Sequence, residues 1–225
     1  MAGVTAGQSL IKAAKFRAEI QQLKEFEVGF YSFLDQYNSI PGDFNLASQY
    51  WSGVSNGDGN GRINGGNDST ASGESVLFFW HLSQANLLSE NYDGTTATTG
   101  LGKGYPESKI SSGKGIGAAG IMHPACNGVV YQLSNEACRI QRKAFILINI
   151  SKPTQGGSSY NDYLGVYSVA DAYNIDVKMD DGLARSGQLL SYRSFRANNC
   201  LDGIDGDYNI SDPQKISCMS QYLLK

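Results

Sequence analysis

The sequence is poor in charged residues, basic clusters and long apolar runs, and each shortage excludes a class of protein. Only 17% of its 225 residues are charged, below the ~25% of an average soluble domain. The net charge is −3, without a run of Lys and Arg, so nucleic-acid binding has no electrostatic basis. No stretch approaches the roughly 18 apolar residues that a membrane-spanning helix needs. Low charge combined with abundant Gly, Asn, Ser and Thr favours an extracellular or envelope protein.

Sequence motifs of catalytic sites are also missing. The chain has two histidines, His81 and His123. It contains no Gly-x-Ser-x-Gly, no His-Glu-x-x-His and no phosphate-binding glycine loop followed by Lys-Ser/Thr. His81 lies beside Trp80 in a predicted helix, which is more typical of a capped or surface histidine than of a general base. We therefore predict that the chain is not an enzyme, and an envelope hydrolase that uses one of these histidines is the weakest alternative.

The four cysteines all lie in the C-terminal half, at Cys126, Cys138, Cys200 and Cys218. They form no Cys-x-x-Cys, and no histidine stands at zinc-finger spacing, which argues against zinc. An even number favours two disulfides, for which three connectivities are possible. We expect the sequence-local pairs Cys126–Cys138 and Cys200–Cys218, with buried free thiols as the alternative. Disulfides require an oxidising compartment.

The first forty residues are predicted to form one long α-helix. Pro41 cannot continue the helical hydrogen bonds and disfavours helical dihedrals at Ile40. A helix of roughly 35 residues would be about 50 Å long, which suggests a rod for assembly that projects from a compact head. Charged residues such as Glu19 and Glu27 are expected on a partly solvated surface. The apolar residues recur every three or four positions, as one stripe of a helix: Phe16, Ile20, Leu23, Phe26, Phe30, Phe33 and Tyr37.

The remaining chain reads as an α+β head. Glu74 to about Glu90 is predicted to be a helix, with Ser72 as its N-cap, and residues 91–118 an irregular excursion. A second, short helix is expected from Ser168 to about Met179, where Ser168 and Asp171 form a near capping box. The predicted strands of a small antiparallel sheet are 128–133, 144–150 and 188–195.

The segment that begins at Asn56 has the spacing of the first part of an EF-hand-type calcium loop. Oxygen-bearing side chains stand at loop positions 1, 3, 5 and 9, with glycine at position 6, and hard oxygen donors around a tight glycine turn suit Ca²⁺. The closing glutamate of position 12 is replaced by Asn67, with Glu74 further on. A Gly/Asn turn that satisfies its own backbone is the alternative. The predicted calcium ligands are Asn56, Asp58, Asn60, Arg62 through its backbone carbonyl, Asn64 and Asp68.

Two further acidic stretches are weaker candidates. In the segment 202–209, inside the Cys200–Cys218 loop, Asp205, Asp207 and Asn209 alternate, but Ile210 replaces the turn glycine. The segment 176–182 ends the short helix with three aspartates. Solvated turns are the simpler interpretation of both.

Several blocks together resemble bacterial type IV pilin-like proteins, which include the pseudopilins of type II secretion systems. Residues 2–14 resemble the middle of the family's first helix, the part that follows its membrane-spanning half. Residues 36–44, with their Pro-Gly-Asp turn, look like the family's exit from that helix. Residues 56–61, 74–82 and 175–182 are similar to a prepilin-type subset of the family.

The resemblance implies a ladle-shaped subunit with a long N-terminal α-helix packed on a small antiparallel β-sheet, additional helices and a disulfide-closed C-terminal loop. Residues 1–40 would be the pilin-type helix and residues 41–225 the head. The prepilin-peptidase site, the methylated first residue and the acidic residue that registers subunits are all expected upstream of Met1. The stretch 1–7 has no basic n-region of a secretory signal, so we expect the export segment to precede it as well.

The function that the resemblance implies is that of a structural subunit of a type IV pilus or a type II secretion pseudopilus. Its partners would be other pilin or pseudopilin subunits, because a heterologous interface that repeats without closing builds a filament. Some family members bind calcium in the head. The native protein is expected in the inner membrane and periplasm or in an extracellular filament, and the chain as given is expected to be soluble. The alternative function is a secreted or cell-surface calcium-binding adhesion module.

Overall fold

The structure is a computed structural model that describes residues 2–63, 73–95, 100–119, 145–150, 166–193, 200–203 and 206–224. The helices are α1 (Ala2–Tyr37), α2 (Ala47–Tyr50), α3 (Glu74–Gln84) and α4 (Val169–Met179). The strands are β1 (Gly115–Ala119), β2 (Phe145–Ile150), β3 (Tyr167–Ser168), β4 (Leu189–Arg193) and β5 (Ile216–Leu224). No helix in these ranges is both long and apolar enough to cross a lipid bilayer.

The long helix α1 confirms the prediction from its apolar stripe and its proline stop. It has 36 residues, which corresponds to about 54 Å at ~1.5 Å per residue. The chain leaves it at Asn38, which adopts a left-handed conformation (φ 47°) and donates its N–H to the carbonyl of Leu34, as in an αL C-cap. The stripe residues Phe16, Leu23, Phe26, Phe30 and Phe33 are buried, with Ile20 and Tyr37 packed partly against them.

The first part of α1 is largely exposed, although Lys12 pairs with Asp171 of the head at 2.8 Å. From Ala6 to Lys15 nearly every side chain is exposed, and burial starts at Phe16. Leu10 and Ile11 are 72% and 62% exposed. The helix is therefore longer than the head requires, as its predicted length suggested.

The described strands form one antiparallel sheet with β5 at its centre. Gln221 and Tyr222 pair with both β2 and β4, while Cys218 pairs with both β3 and β4. A strand residue can pair with only two neighbouring strands, one on each side. Strand β4 therefore lies along one edge of β5, and β2 and β3 both lie along the other edge, one after the other. Strand β1 extends the sheet beyond β2.

Helices α1 and α3 form the aromatic part of the core. The ring of Phe26 meets Phe79 edge-on at 5.2 Å, and Phe30 stacks with Phe78 at 6.2 Å. On the sheet side, Lys24 Nζ donates to Tyr222 Oη at 2.5 Å, and that hydroxyl donates to Glu27 at 2.7 Å. The structure thus confirms an α+β fold with a long N-terminal helix on a small antiparallel sheet.

Several local predictions need correction. The N-cap of α3 is Gly73, not Ser72, and the helix ends at Gln84, before Asn86 takes a left-handed conformation (φ 58°). The excursion 91–118 runs into strand β1, and the C-terminal segment contains the central strand β5. Helix α4 agrees with its prediction, since Ser168 Oγ accepts the N–H of Asp171 at 3.1 Å. The strand prediction at 128–133 lies outside the described residues.

Glu19 is the clearest error among the side chains, because it is fully buried instead of lying on a solvated surface. Its carboxylate accepts hydrogen bonds from Ser108 Oγ at 3.0 Å, from the N–H of Lys109 at 2.5 Å and from Tyr167 Oη. Burial raises the pKa of Glu19, although these hydrogen bonds oppose the rise. The carboxylate joins α1 to the loop before β1 and to β3.

One predicted disulfide is present. Cys200 and Cys218 are bonded, with their Cα atoms 4.9 Å apart. Both side chains are fully buried. The bond connects the loop 200–203 to β5 and closes the C-terminal segment. The pair Cys126–Cys138 lies outside the described residues.

Candidate functional site

Three carboxylates from distant parts of the sequence meet beside the end of α1. Asp43 follows the Pro41 turn, Asp58 lies in the glycine-rich loop, and Glu74 is the first residue of α3. One oxygen from each carboxylate lies within 4.8 Å of the others. Asp43 and Glu74 are buried and Asp58 is exposed, so the group opens to solvent on one side. We call these three residues the acidic triad.

The triad forms because two glycines let the chain approach itself closely. A Cβ at Gly57 would lie 2.3 Å from the carbonyl oxygen of Gly42 and 2.4 Å from the carbonyl carbon of Asp43. Gly42 has φ 91°, and a Cβ there would lie 2.6 Å from the carbonyl oxygen of Glu74. Glycine is required at both positions, because no larger residue fits this contact.

Asp43 binds the loop through its side chain and its backbone. Its Oδ1 accepts the N–H of Asn60 at 2.9 Å and its Oδ2 accepts that of Gly61 at 2.8 Å. Its carbonyl accepts the N–H of Gly59 at 3.1 Å. Burial raises the pKa of Asp43. The backbone N–H groups of Gly61 and Asn60 that donate to its carboxylate lower this pKa, and a hydrogen bond with the Asp58 carboxyl raises it.

Asp58 and Glu74 complete the cluster. The N–H of Asp58 donates to Glu74 Oε1 at 2.8 Å. The Asp58 carboxylate accepts the backbone N–H of Asn60 at 3.0 Å and the amide Nδ2 of Asn60 at 2.7 Å. Adjacent carboxylates repel each other unless a proton or a cation lies between them. The triad therefore has the charge and the hard oxygen donors that suit Ca²⁺.

The ring of His81 fixes the backbone beneath the triad. Its Nδ1 accepts the N–H of Gly42 at 3.0 Å, and its Nε2 lies 2.9 Å from the carbonyl oxygen of Ser55. A backbone donor on Nδ1 and an acceptor at Nε2 select the neutral ring protonated on Nε2. Burial lowers the pKa of His81, against the opposing effect of the Ser55 carbonyl. His81 is thus a buried clamp and not a surface residue, and neither nitrogen is available to act as a general base.

The structure does not bring the described members of the predicted calcium-ligand set to one place. Asp58 enters the triad, while Asn60 and the backbone at Gly61, just before Arg62, contact the triad through hydrogen bonds. Asn56 lies elsewhere, since its Oδ1 accepts the N–H of Ser48 at 2.8 Å. Asn64 and Asp68 lie outside the described residues. Sequence reasoning missed Asp43, although its place beside the Pro41–Gly42 turn, in front of a loop with a calcium-like spacing, was a usable signal.

A second acidic group lies at the C-terminal end of α4, where Asp176, Asp180 and Asp181 bring carboxylate oxygens within 4.8 Å of one another. Asp176 is fully buried and accepts Tyr208 Oη at 2.7 Å and the N–H of Gly182 at 3.1 Å. Burial raises the pKa of Asp176 to about 6, with a further contribution from Asp181 and Asp180. This group fixes the turn between α4 and β4.

Comparisons of the chain with protein-family models, with curated proteins and with solved structures find no match.

Proposed function

We propose that this chain is a structural subunit of a bacterial type IV pilus or type II secretion pseudopilus that assembles through its N-terminal helix. The observation that carries the proposal is the division of α1 into two parts. Residues from Phe16 onward bury their stripe in the head, while most side chains from Ala6 to Lys15 are exposed, including the apolar Leu10 and Ile11. The head needs only the part of α1 from Phe16 onward, so the part before Phe16 is suited to contacts with other molecules.

The head contributes supporting features. An antiparallel sheet and a C-terminal segment closed by the Cys200–Cys218 bond are what the resemblance to pilin-like proteins leads one to expect. The disulfide fits an oxidising compartment, which the periplasm and the cell exterior provide.

Calcium is part of the proposal as a stabiliser of the head. The residues present fit the ion, since Asp43, Asp58 and Glu74 offer three hard carboxylate donors of which two are buried. The ion would neutralise the repulsion between these carboxylates and so bind the loop at Asp58 to the exit of α1.

The experiment that tests the filament proposal is to read the gene upstream of the codon for Ala2. A filament subunit should show a basic leader, a Gly-Phe-Thr/Ser-x-x-Glu site and ~20 apolar residues directly before Ala2. A conventional signal peptide with a small-residue cleavage site would contradict the proposal.

The second candidate function is a secreted or cell-surface binding module that uses calcium. The acidic triad favours it, because a cation between α3 and the loop at Asp58 would stabilise a binding surface in the same way. The two candidates differ in export. N-terminal sequencing of the exported protein would give a residue close to Ala2 for the module, and a residue at the start of the membrane-spanning segment for the filament subunit.

A further inference from the structure

A cavity of about 180 Å³ lies between the middle of α1 and the loop that follows α3. Gln22 and Glu25 line it on the helix side, and Glu90 and Lys109 are among the residues that line it on the opposite side. Glu90 is exposed, so the cavity opens to solvent there. Its volume is somewhat larger than the ~150 Å³ of an engineered cavity that binds benzene. It therefore has room for one small molecule or for several waters.

The amide of Gln22 is unsatisfied. The residue is only 5% exposed, and within the described part of the chain its buried Oε1 and Nε2 have no hydrogen-bond partner. Leaving a buried donor and a buried acceptor unpaired is costly. Gln188 shows the usual arrangement, since its Nε2 donates to Glu27 at 2.6 Å and to the carbonyl of Leu223 at 2.9 Å. The Gln22 side chain therefore loses no hydrogen bond when it turns toward a ligand in the cavity.

The charges around the cavity leave one carboxylate uncompensated. Glu90 is paired, since Lys109 Nζ lies 2.7 Å from its Oε1 and Tyr92 Oη donates to its Oε2 at 2.8 Å. The hydrogen bond from Lys109 holds the pKa of Glu90 below its usual range. Glu25 forms no ion pair with another described residue, and its carboxylate accepts the backbone N–H of Ser89 at 2.5 Å. The wall of the cavity thus carries a net negative charge, located at Glu25.

We propose that this cavity binds a small molecule that carries an ammonium group beside a carboxamide, as an amino-acid amide does. Gln22 and Glu25 are one helical turn apart, so their side chains lie on the same face of α1. A ligand that satisfies both needs a cation for Glu25 and, next to it, a donor and an acceptor for the amide of Gln22. Phe26 and Leu88 add apolar surface to the wall. The site does not depend on the proposed filament function.

Glycinamide is a probe that carries both groups, and NMR of the whole chain measures its binding. The side-chain amide resonance of Gln22 is assigned by its absence from the spectrum of Gln22→Met, and glycinamide should shift it. Acetamide lacks the ammonium group and should bind at least about tenfold more weakly, because hydrogen bonds that involve a charged group are the stronger ones. Equal binding of acetamide, or binding of glucose in place of glycinamide, would overturn the assignment of an ammonium ligand.

Three variants test which side chains contact the ligand. Gln22→Met keeps the length of the side chain without its polar atoms and should weaken glycinamide binding at least about tenfold. Gln36→Met makes the same change at an exposed position of α1 outside the cavity, and its affinity should stay within about twofold of the parent chain. Glu25→Gln removes the charge but keeps the shape, and should reduce the affinity for glycinamide to that for acetamide. Unchanged binding in Gln22→Met or Glu25→Gln would contradict the site.

The stability of the chain without ligand separates a binding role of Gln22 from a merely structural one. Gln22→Met should not lower the Tm of the chain alone, because it removes two polar atoms that have no partner. Glycinamide should raise the Tm of the parent chain and leave that of Gln22→Met unchanged. A lower Tm in Gln22→Met, together with no effect of glycinamide on the parent chain, would show that ordered waters satisfy the amide. That result would overturn the proposal.

Discussion

At the scale of single residues, Glu19 lies where α1 meets the rest of the head. A buried carboxylate is costly unless every donor around it is used, and here hydroxyl groups of Ser108 and Tyr167 and two backbone N–H groups point at it. The residue belongs to the polar contacts that set the position of α1 relative to β3 and to the loop before β1.

Glu19→Ala should lower the free energy of unfolding by about 3 kcal/mol, because it leaves several buried donors without an acceptor. Urea denaturation measures the effect. Glu25→Ala is the control on the same helix, since Glu25 is only half-buried and accepts one N–H, that of Ser89; its cost should stay near 0.5 kcal/mol, roughly that of an ordinary surface change. Equal costs would contradict the role given to Glu19.

Asp176 makes stability depend on pH. Its pKa is raised to about 6 in the folded protein, against about 3.9 in an unfolded chain. Between these values the folded state holds more protons than the unfolded state, so this group's contribution to stability falls as the pH rises from 4 to 7.

Asp176→Asn removes this pH dependence while keeping the side-chain size. From pH 5 to pH 7.5 the variant should lose about 1 kcal/mol less stability than the parent chain, a value reduced for solvent screening. Urea unfolding at both pH values measures the difference, and Asp35→Asn, at an exposed position of α1, is the control. An unchanged pH dependence in Asp176→Asn would contradict the assignment.

At the scale of elements, the loop at Asp58 is held against α3 and the α1 exit by the acidic triad. Ca²⁺ at millimolar concentration should raise the Tm by about 5 °C if it binds the folded state only. Asp58→Asn should remove most of this rise. Asp93→Asn is a matched control, since Asp93 also accepts the N–H two residues ahead, at 2.9 Å, but lies outside the triad. A calcium effect that persists in Asp58→Asn would exclude the triad as the site.

Sequence patterns predicted those helices and strands that are determined by residues within a single stretch of the chain. The stripe and proline of α1, the Ser168 cap of α4 and the β-branched run of β2 each lie within one stretch of sequence, and the structure agrees with all three. Strand β5 was missed because its polar residues do not suggest a central strand. Ser191 Oγ and Ser220 Oγ lie 2.8 Å apart in the interior, so their burial depends on strand pairing that the sequence does not display.

The candidate site was predictable only in part for the same reason. Asp58 stood in a recognisable loop, but its neighbours Asp43 and Glu74 come from segments about fifteen residues away on either side. Hydrogen bonds between residues 17 and 16 positions apart, Asn60 to Asp43 and Asp58 to Glu74, bring them together. The buried clamp of His81 depends on the backbone of Gly42 and Ser55. Such contacts require the tertiary fold.

At the scale of the whole molecule, we expect the buried stripe of α1 to determine the stability of the head and residues 2–11 to determine assembly. Deletion of residues 2–11 should change the Tm by less than about 2 °C, because the side chains described there are mostly exposed and surface changes cost little. Phe26→Ala, in the buried stripe, should cost about 3–5 kcal/mol. Thermal unfolding measures both, and a large loss of Tm in the deletion variant would show that residues 2–11 belong to the head.

The central claim is that this chain builds a filament through α1. The most direct measurement is electron microscopy, with gold-labelled antibody against the head, of material sheared from cells that produce the full-length protein. We expect labelled filaments, and we expect them to disappear when residues 2–11 are deleted although the head remains folded. Label found only on soluble protein, or filaments that persist unchanged after the deletion, would contradict it.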